Sequence, residues 1–245
     1  MSEAAIGCGN KVGPYNCCSV VAGDCLDVMA EMPNGWANMI LTDPPYSFPM
    51  TQFRPGARSK IKSFGDFSPF QYFFKAMVKE TRRILSHQGW AYIFCNEETR
   101  PVIYPILYDA FLRTKLLVWD KARIGLGGDW RRTYELIQMA TDAPSKHSGD
   151  PDIIRCKAVS SNARLHYAEK PVPLARVLAA KHGVKTGFDP FVGSGALCEA
   201  MALEGIHFFG CDIKAEHVAI AEKRLSTTQL AMANAGFTIT VSDDA

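Results

Sequence analysis

The sequence predicts an α/β protein with a Rossmann-like core: a mostly parallel twisted sheet with helices on both faces. Two observations carry this. Short β-favouring apolar runs at 20–21, 37–41, 90–94, 116–119, 136–140 and 207–210 alternate with longer segments of helical period. Near the C-terminus, Asp189-Pro-Phe-Val-Gly-Ser-Gly195 forms the first turn of a complete βαβα unit.

Along the chain, the run 37–41 leads into Asp43-Pro44-Pro45-Tyr46. Ser68-Pro69 supplies a cap and a first-turn proline for a helix to about Leu85, and Gly89 breaks the chain before the next strand. Pro171 opens a helix that ends near Gly183. Past the glycine turn, a helix from about Ala196 to Glu204 is stopped by Gly205, then come a strand into Cys211-Asp212 and a helix through Arg224-Leu225. The segments 47–67 and 142–169 carry no regular pattern, and loops of that length in a compact domain are usually functional or disordered. The stretch after Ser226 reads as a peripheral helix and a loose end.

A chain of 245 residues, 47% hydrophobic and 21% charged, can bury a substantial core, and 1–245 reads as a single domain. No segment has the apolar length of a membrane span. The beginning, MSEAAIGCGN, lacks a basic region followed by an apolar one, so the expectation is a cytoplasmic protein with reduced cysteines. Those eight cysteines, at 8, 17, 18, 25, 95, 156, 198 and 211, form no CxxC pair, and no metal site is expected. A formal net charge of +2 is too small to name a polyanionic partner.

In Asp189 to Gly195 the glycines leave the turn without β-carbons, so a ligand can approach the backbone and the following helix N-terminus can receive an anionic group. Asp212, at the end of the next strand, lies where such units place a ribose-binding carboxylate. Cys198 stands where a dinucleotide fingerprint has its third glycine, which favours S-adenosylmethionine (SAM), with a ribose and no pyrophosphate, over NAD. A tight structural turn is the alternative reading.

Asp43-Pro44-Pro45-Tyr46 sits at the carboxyl end of a strand, where open α/β sheets place their ligands. The prolines stiffen the turn and leave their carbonyls free. An aromatic amine is a poor nucleophile because its lone pair is delocalised into the ring. If the Asp43 carboxylate and the Pro44 carbonyl each accept one of its hydrogens, the nitrogen is drawn toward a tetrahedral shape and can attack a methyl sulfonium. Tyr46 offers a face for a base that has left the duplex.

These residues resemble the SAM-dependent DNA amino-methyltransferases, specifically the permuted β group, in which the catalytic motif precedes the SAM-binding motif. Asp43 to Tyr46 resembles the family's DPPY motif, and Asp189 to Gly195 its DPFxGSG motif. Gly23-Asp24-Cys25-Leu26 resembles its GD element, whose acid binds the SAM adenine. Trp119-Asp120-Lys121 through Gly125, Gly128, Arg132 and Glu135 is similar to a segment with a Trp-x-Lys start and a closing Glu. Glu169-Lys170-Pro171 resembles the end of its HPTQKP motif, Asp212 its ribose-binding acid, and 221–225 the usual end of the following helix. Two departures stand out: His166-Tyr167-Ala168-Glu169 replaces HPTQ, and Ala196 replaces the usual Thr after GSG.

The resemblance implies a circularly permuted methyltransferase fold and transfer of a methyl group from SAM to N6 of adenine in double-stranded DNA by base flipping. Asp43, Pro44, Pro45 and Tyr46 are then catalytic. Asp24, Asp43, Lys170, Asp189, Phe191, Gly193, Ser194, Gly195 and Asp212 are then cofactor-binding. It also suggests a homodimer and a partner restriction endonuclease. On residue chemistry alone, Asp24 reads equally as a helix cap. Lys121 and a basic loop carrying Arg54, Arg58, Lys60 and Lys62 are the expected DNA contacts, with 142–169 a second target-recognition element. The alternatives are N4 of cytosine as the target and, less favoured, a catalytically inactive SAM- and DNA-binding subunit.

Overall fold

The computed structural model describes residues 8–46, 68–125, 129–145, 149–160 and 169–234. In chain order it has a hairpin of β1 (Lys11–Val12) and β2 (Tyr15–Asn16), then β3 (Ser19–Ala22), α1 (Cys25–Glu31) and β4 (Ala37–Thr42). Next come α2 (Ser68–Ile84), β5 (Leu85–Cys95), α3 (Arg100–Ala110), β6 (Arg113–Asp120), β7 (Tyr134–Thr141) and β8 (Ile153–Arg155). The last part holds α4 (Val172–Ala179), β9 (Thr186–Asp189), α5 (Ala196–Leu203), β10 (His207–Asp212) and α6 (Ala215–Asn234).

Among the described residues, one eight-stranded sheet runs in the order β3-β10-β9-β4-β5-β7-β6-β8. The pairings from β3 to β5 are parallel, β7 runs antiparallel to both β5 and β6, and β8 is parallel to β6. Helices α1, α2 and α3 pack in succession, as do α4, α5 and α6, giving two helical layers. A sheet covered on both faces needs strands that are apolar throughout, and β4, β9 and β10 are buried almost end to end. Phe188, Phe208 and Phe209 from β9 and β10 meet Met39 and Ile40 of β4 in the core.

Three features depart from the sequence-based reading. Gly89 does not break the chain before a strand: β5 begins at Leu85, directly after α2, and Gly89 lies within it, where a β-carbon would sit 2.7 Å from the Leu85 side chain. Helix α3 was not legible, because Pro101 and Pro105 interrupt its pattern; Pro101 falls in the first turn, where no N–H is required, and Pro105 lies inside. Helix α6 extends to Asn234, beyond the part of it that the sequence pattern marks.

Side chains close the helix ends that the sheet leaves open. Arg83 of α2 donates to the Met32 carbonyl at 2.7 Å and to the Met29 carbonyl, which belong to the last turn of α1, while its Nε donates to Glu80 at 2.8 Å. The Met29 carbonyl also accepts the Met32 N–H at 3.0 Å, and a cation is favoured at that carbonyl-rich end.

The turn between β9 and α5 depends on glycine. Gly193 and Gly195 both have positive φ, at 51° and 82°. A β-carbon on Gly195 would lie 2.9 Å from the Ala221 β-carbon in α6, whereas on Gly193 its nearest neighbour would be 4.0 Å away. Both positions carry left-handed strain, and only Gly195 adds a collision. Gly195→Ala should therefore destabilise the fold by about 1–3 kcal/mol more than Gly193→Ala. Urea unfolding of the two variants checks this, and equal midpoints would refute the packing argument.

Candidate active site

Four parallel strands bring their carboxyl ends together along one edge of the sheet. Asp212 closes β10 opposite Ala22 of β3, after which come Gly23 and Asp24; Asp189 closes β9 opposite Gly210, and β4 delivers Thr42 and Asp43. From β4 the chain proceeds to β5 on one side, and from β9 it proceeds to β10 on the other. The crevice where strand order diverges is where open α/β sheets bind ligands. The Thr42 hydroxyl spans it, donating to Asp189 Oδ1 at 2.8 Å.

Asp189 is fully buried, and its Oδ1 also accepts from the Phe191 N–H at 3.0 Å, fixing the start of the glycine turn. Its Oδ2 is buried with no hydrogen-bond partner among the described residues. Burial pushes this carboxyl up to about 7, and the two donors on Oδ1 only partly offset it.

Asp212 holds the turn from the neighbouring strand. Its Oδ2 accepts from the Gly193 N–H at 2.9 Å, and its Oδ1 from the Lys214 N–H at 2.9 Å, with His217 Nδ1 at 3.2 Å. Arg224 of α6 braces the same turn by donating to Glu169 at 2.6 Å and to the Ser194 hydroxyl at 3.3 Å, with Glu199 of α5 also at 3.3 Å. The residue before Lys170 is thereby tied to the glycine turn.

At the end of β4 lies a chain of alternating charges. Lys170 Nζ is 2.5 Å from Asp43 Oδ2 and 3.3 Å from Glu135 Oε2, and Lys121 Nζ is 2.7 Å from Glu135 Oε1. The Tyr46 hydroxyl donates to Glu135 Oε2 at 3.2 Å, and the Lys170 ammonium lies 5.3 Å from the Tyr46 ring centre. Burial pushes the Lys170 ammonium's pKa down, but Asp43 and Glu135 more than reverse this and leave it raised. Burial pushes Glu135 up, and Lys170 and Lys121 more than reverse this, holding it below the usual carboxylate range. For Asp43 burial wins over the pull of Lys170, and its pKa is raised. Asp43 Oδ1, shielded from solvent, has no hydrogen-bond partner among the described residues. Beside Tyr46 opens a cleft of about 70 Å³ lined by Asn96, Lys121, Arg132, Tyr134 and Glu135.

Residues 37–223 match the sequence profile of the N6/N4 family described as DNA methylase, a span that includes Asp43, Tyr46, Lys121, Glu135, Lys170, Asp189 and Asp212. The chain belongs to this DNA methylase family. It is 28% identical to YubD of Escherichia coli K12 over 86% of this chain and 92% of that protein. Among solved structures, the M1.HpyAVI–SAM complex superposes with a TM-score of 0.63 at 17% identity, covering 84% of this chain and 98% of that one. The cytosine-N4-specific PvuII DNA methyltransferase gives 0.62 at 14% identity, covering 88% and 92%. Those likenesses establish the DNA methyltransferase fold.

In this DNA methylase the sequence-marked residues converge unevenly. Asp43, Tyr46, Lys170, Asp189, Phe191, Gly193, Ser194, Gly195 and Asp212 lie along one sheet edge. Asp24 is exposed and caps α1, its Oδ1 accepting from the Leu26 N–H at 2.8 Å. Lys121, marked as a DNA contact, is engaged with Glu135 and lies 5.2 Å from the centre of the Trp119 ring. Arg54, Arg58, Lys60 and Lys62 lie outside the described residues, as do 146–148 and 161–168 of the segment 142–169. Sequence reasoning left out Glu135 and Arg224 as working parts of the site. Both stand within segments that resemble family motifs, but their role comes from partners 35 and 55 positions away in sequence, Lys170 and Glu169.

Two pH dependences follow. If methyl transfer requires ionised Asp43, activity falls as pH drops through its raised pKa, and Lys170→Met, which removes the group pulling that pKa down, should move the acid limb of the rate profile up by about 1 unit or more. An unmoved limb would separate Lys170 from the ionisation of Asp43. For stability, the native state of the free protein holds a proton on Asp189 that the unfolded chain releases near pH 4, so stability decreases as pH rises from there through about 7. Asp189→Asn should shallow that decrease, as denaturant midpoints at several pH values will show.

Proposed function

We propose that this DNA methylase transfers a methyl group from SAM to N6 of adenine in double-stranded DNA, with the target base flipped out of the helix. The observation that carries the reading is the Asp43 carboxylate: one oxygen fixed by Lys170, the other buried and without a hydrogen-bond partner among the described residues. A buried acceptor left open at a strand end suits a donor that arrives with the substrate.

The residues at the sheet edge fit SAM. Gly193 leaves open space where a side chain would stand, Asp189 Oδ2 is a second buried acceptor with no partner among the described residues, and Asp212 lies at the end of the adjacent strand. Asp24, Asp189, Phe191, Gly193, Ser194, Gly195 and Asp212 would hold it. When bound, SAM supplies an electrophilic methyl group on a sulfonium. Lys170, paired with Asp43, acts on the cofactor side of the site chiefly by orienting that carboxylate.

Asp43 Oδ1 accepts one hydrogen of the adenine amine and the Pro44 carbonyl the other, so the lone pair turns away from the ring plane. Pro45 keeps the turn rigid. Tyr46, held by Glu135, presents its ring to the base. Its pKa is raised well above that of a free phenol by burial and by the Asp43 and Glu135 carboxylates, so it remains neutral. Lys170 and Glu135 fix Asp43 and Tyr46 in one geometry before substrate arrives.

In this reading the catalytic motif precedes the SAM-binding motif, as in the permuted β group. One domain over 1–245 works in the cytoplasm as a homodimer, beside a partner restriction endonuclease. Arg54, Arg58, Lys60, Lys62 and Lys121 contact phosphates, and 142–169 shares in target recognition. Cytosine N4 is the second reading, favoured by the fold likeness to the cytosine-specific PvuII enzyme. Adenine is preferred because family members with Asp at the first motif position mostly act on adenine, and because an A·T pair has fewer hydrogen bonds to break on flipping.

The test is to methylate DNA with labelled SAM and digest it to nucleosides. N6-methyladenine is expected, and N4-methylcytosine as the sole product would overturn the choice of base. Asp43→Ala should lower the rate about a hundredfold or more with SAM affinity nearly unchanged, whereas Asp212→Ala should weaken SAM binding by calorimetry. Retention of most activity by Asp43→Ala would remove its assigned role.

A further inference from the structure

At the opposite end of β10 from Asp212, four potential metal ligands converge. Cys8 precedes the β1–β2 hairpin, Cys17 and Cys18 link it to β3, and His207 begins β10. One donor atom from each lies within 4.8 Å of all the others. Cys17 Sγ and Cys18 Sγ are 3.8 Å apart, and each is 3.8 Å from His207 Nδ1. A tetrahedral zinc ion with sulfur about 2.3 Å and nitrogen about 2.0 Å away separates its ligand atoms by about 3.5–3.8 Å. The two adjacent sulfurs are much farther apart than the roughly 2.05 Å of a disulfide, and all eight cysteines are free thiols.

The backbone holds these donors in place. The Cys17 N–H donates to Asn10 at 2.9 Å and the Cys18 N–H to the Phe208 carbonyl at 2.6 Å, while Cys18 is kept at a φ of 57°, unusual for a non-glycine residue. The Tyr15 ring stacks on Phe209 at 5.0 Å, fastening the hairpin to the strand that carries His207. From His207 to Asp212 the strand covers about 17 Å, which puts the cluster well away from the catalytic edge.

We propose that Cys8, Cys17, Cys18 and His207 Nδ1 bind one structural zinc ion that staples the amino-terminal hairpin to the edge of the sheet. The three thiols release their protons to solvent as zinc–sulfur bonds form, the imidazole binds neutral, and no electrons are transferred. With all four positions filled by protein, the ion has no open site for catalysis. The cysteine spacing argued against any metal site because adjacent cysteines are not a CxxC pair and the fourth ligand is 189 residues beyond Cys18.

The full chain, expressed with supplemented zinc and purified without a histidine tag, should retain about one zinc ion per chain by plasma mass spectrometry after gel filtration. Cobalt in place of zinc should show the strong visible bands of tetrahedral thiolate ligation. Cys8→Ser and His207→Ala should each lower zinc affinity by more than about tenfold, since even outer-shell changes cost about 10–100-fold. Cys8 lies outside the sheet, so circular dichroism of Cys8→Ser should show the fold persisting when the zinc is lost. A wild-type chain free of zinc, an octahedral cobalt spectrum, or full retention of zinc by both variants would each overturn the proposal.

Discussion

A lysine ammonium buried between two carboxylates organises the candidate site. Lys170 comes from the segment before α4, Asp43 from the end of β4 and Glu135 from β7, so one cation joins three separated parts of the chain. Desolvating such charges is costly, and removing one partner strands another in low dielectric, so the three are stable only as a set. The consequence is geometric. Asp43 cannot swing toward solvent, and Tyr46 is held through Glu135 in the same arrangement.

The second constraint is strand order. Because β9 and β4 are neighbours whose connections diverge, the turn after β9 and the Pro-Pro turn after β4 start from adjacent strand ends. Thr42 and Asp189 cross that line, and Asp212 and Arg224 hold the glycine turn from the other side. Side chains from separate segments of the chain thus meet at the strand ends. Preorganisation of this kind limits the reorganisation required when charge develops during reaction.

The fold also separates its two functions of charge and sulfur. Carboxylates gather at the carboxyl ends of the parallel strands, while the Cys8, Cys17, Cys18 and His207 group lies at the amino end of β10. The remaining cysteines behave differently: Cys198 and Cys211 are fully buried in the core, and burial raises both thiols far above their ordinary range. They pack as small apolar side chains.

By itself the sequence determined the alternation of strands and helices, because apolar runs of 4–8 residues and helical periods are local signals. It also marked Asp43 to Tyr46 and Asp189 to Gly195 as candidate motifs, since stiff prolines and bare glycines act through their own backbone. Helix α3 escaped because its two prolines imitate a break, and Gly89 misled because a glycine needed for close packing looks the same as one that ends an element. Only the tertiary structure decided which groups meet: Lys170 with Asp43 and Glu135, Arg224 with Glu169, and three amino-terminal cysteines with His207. Ion pairs and metal-ligand sets depend on distances in space, and a parallel sheet brings together strand ends that the chain visits far apart.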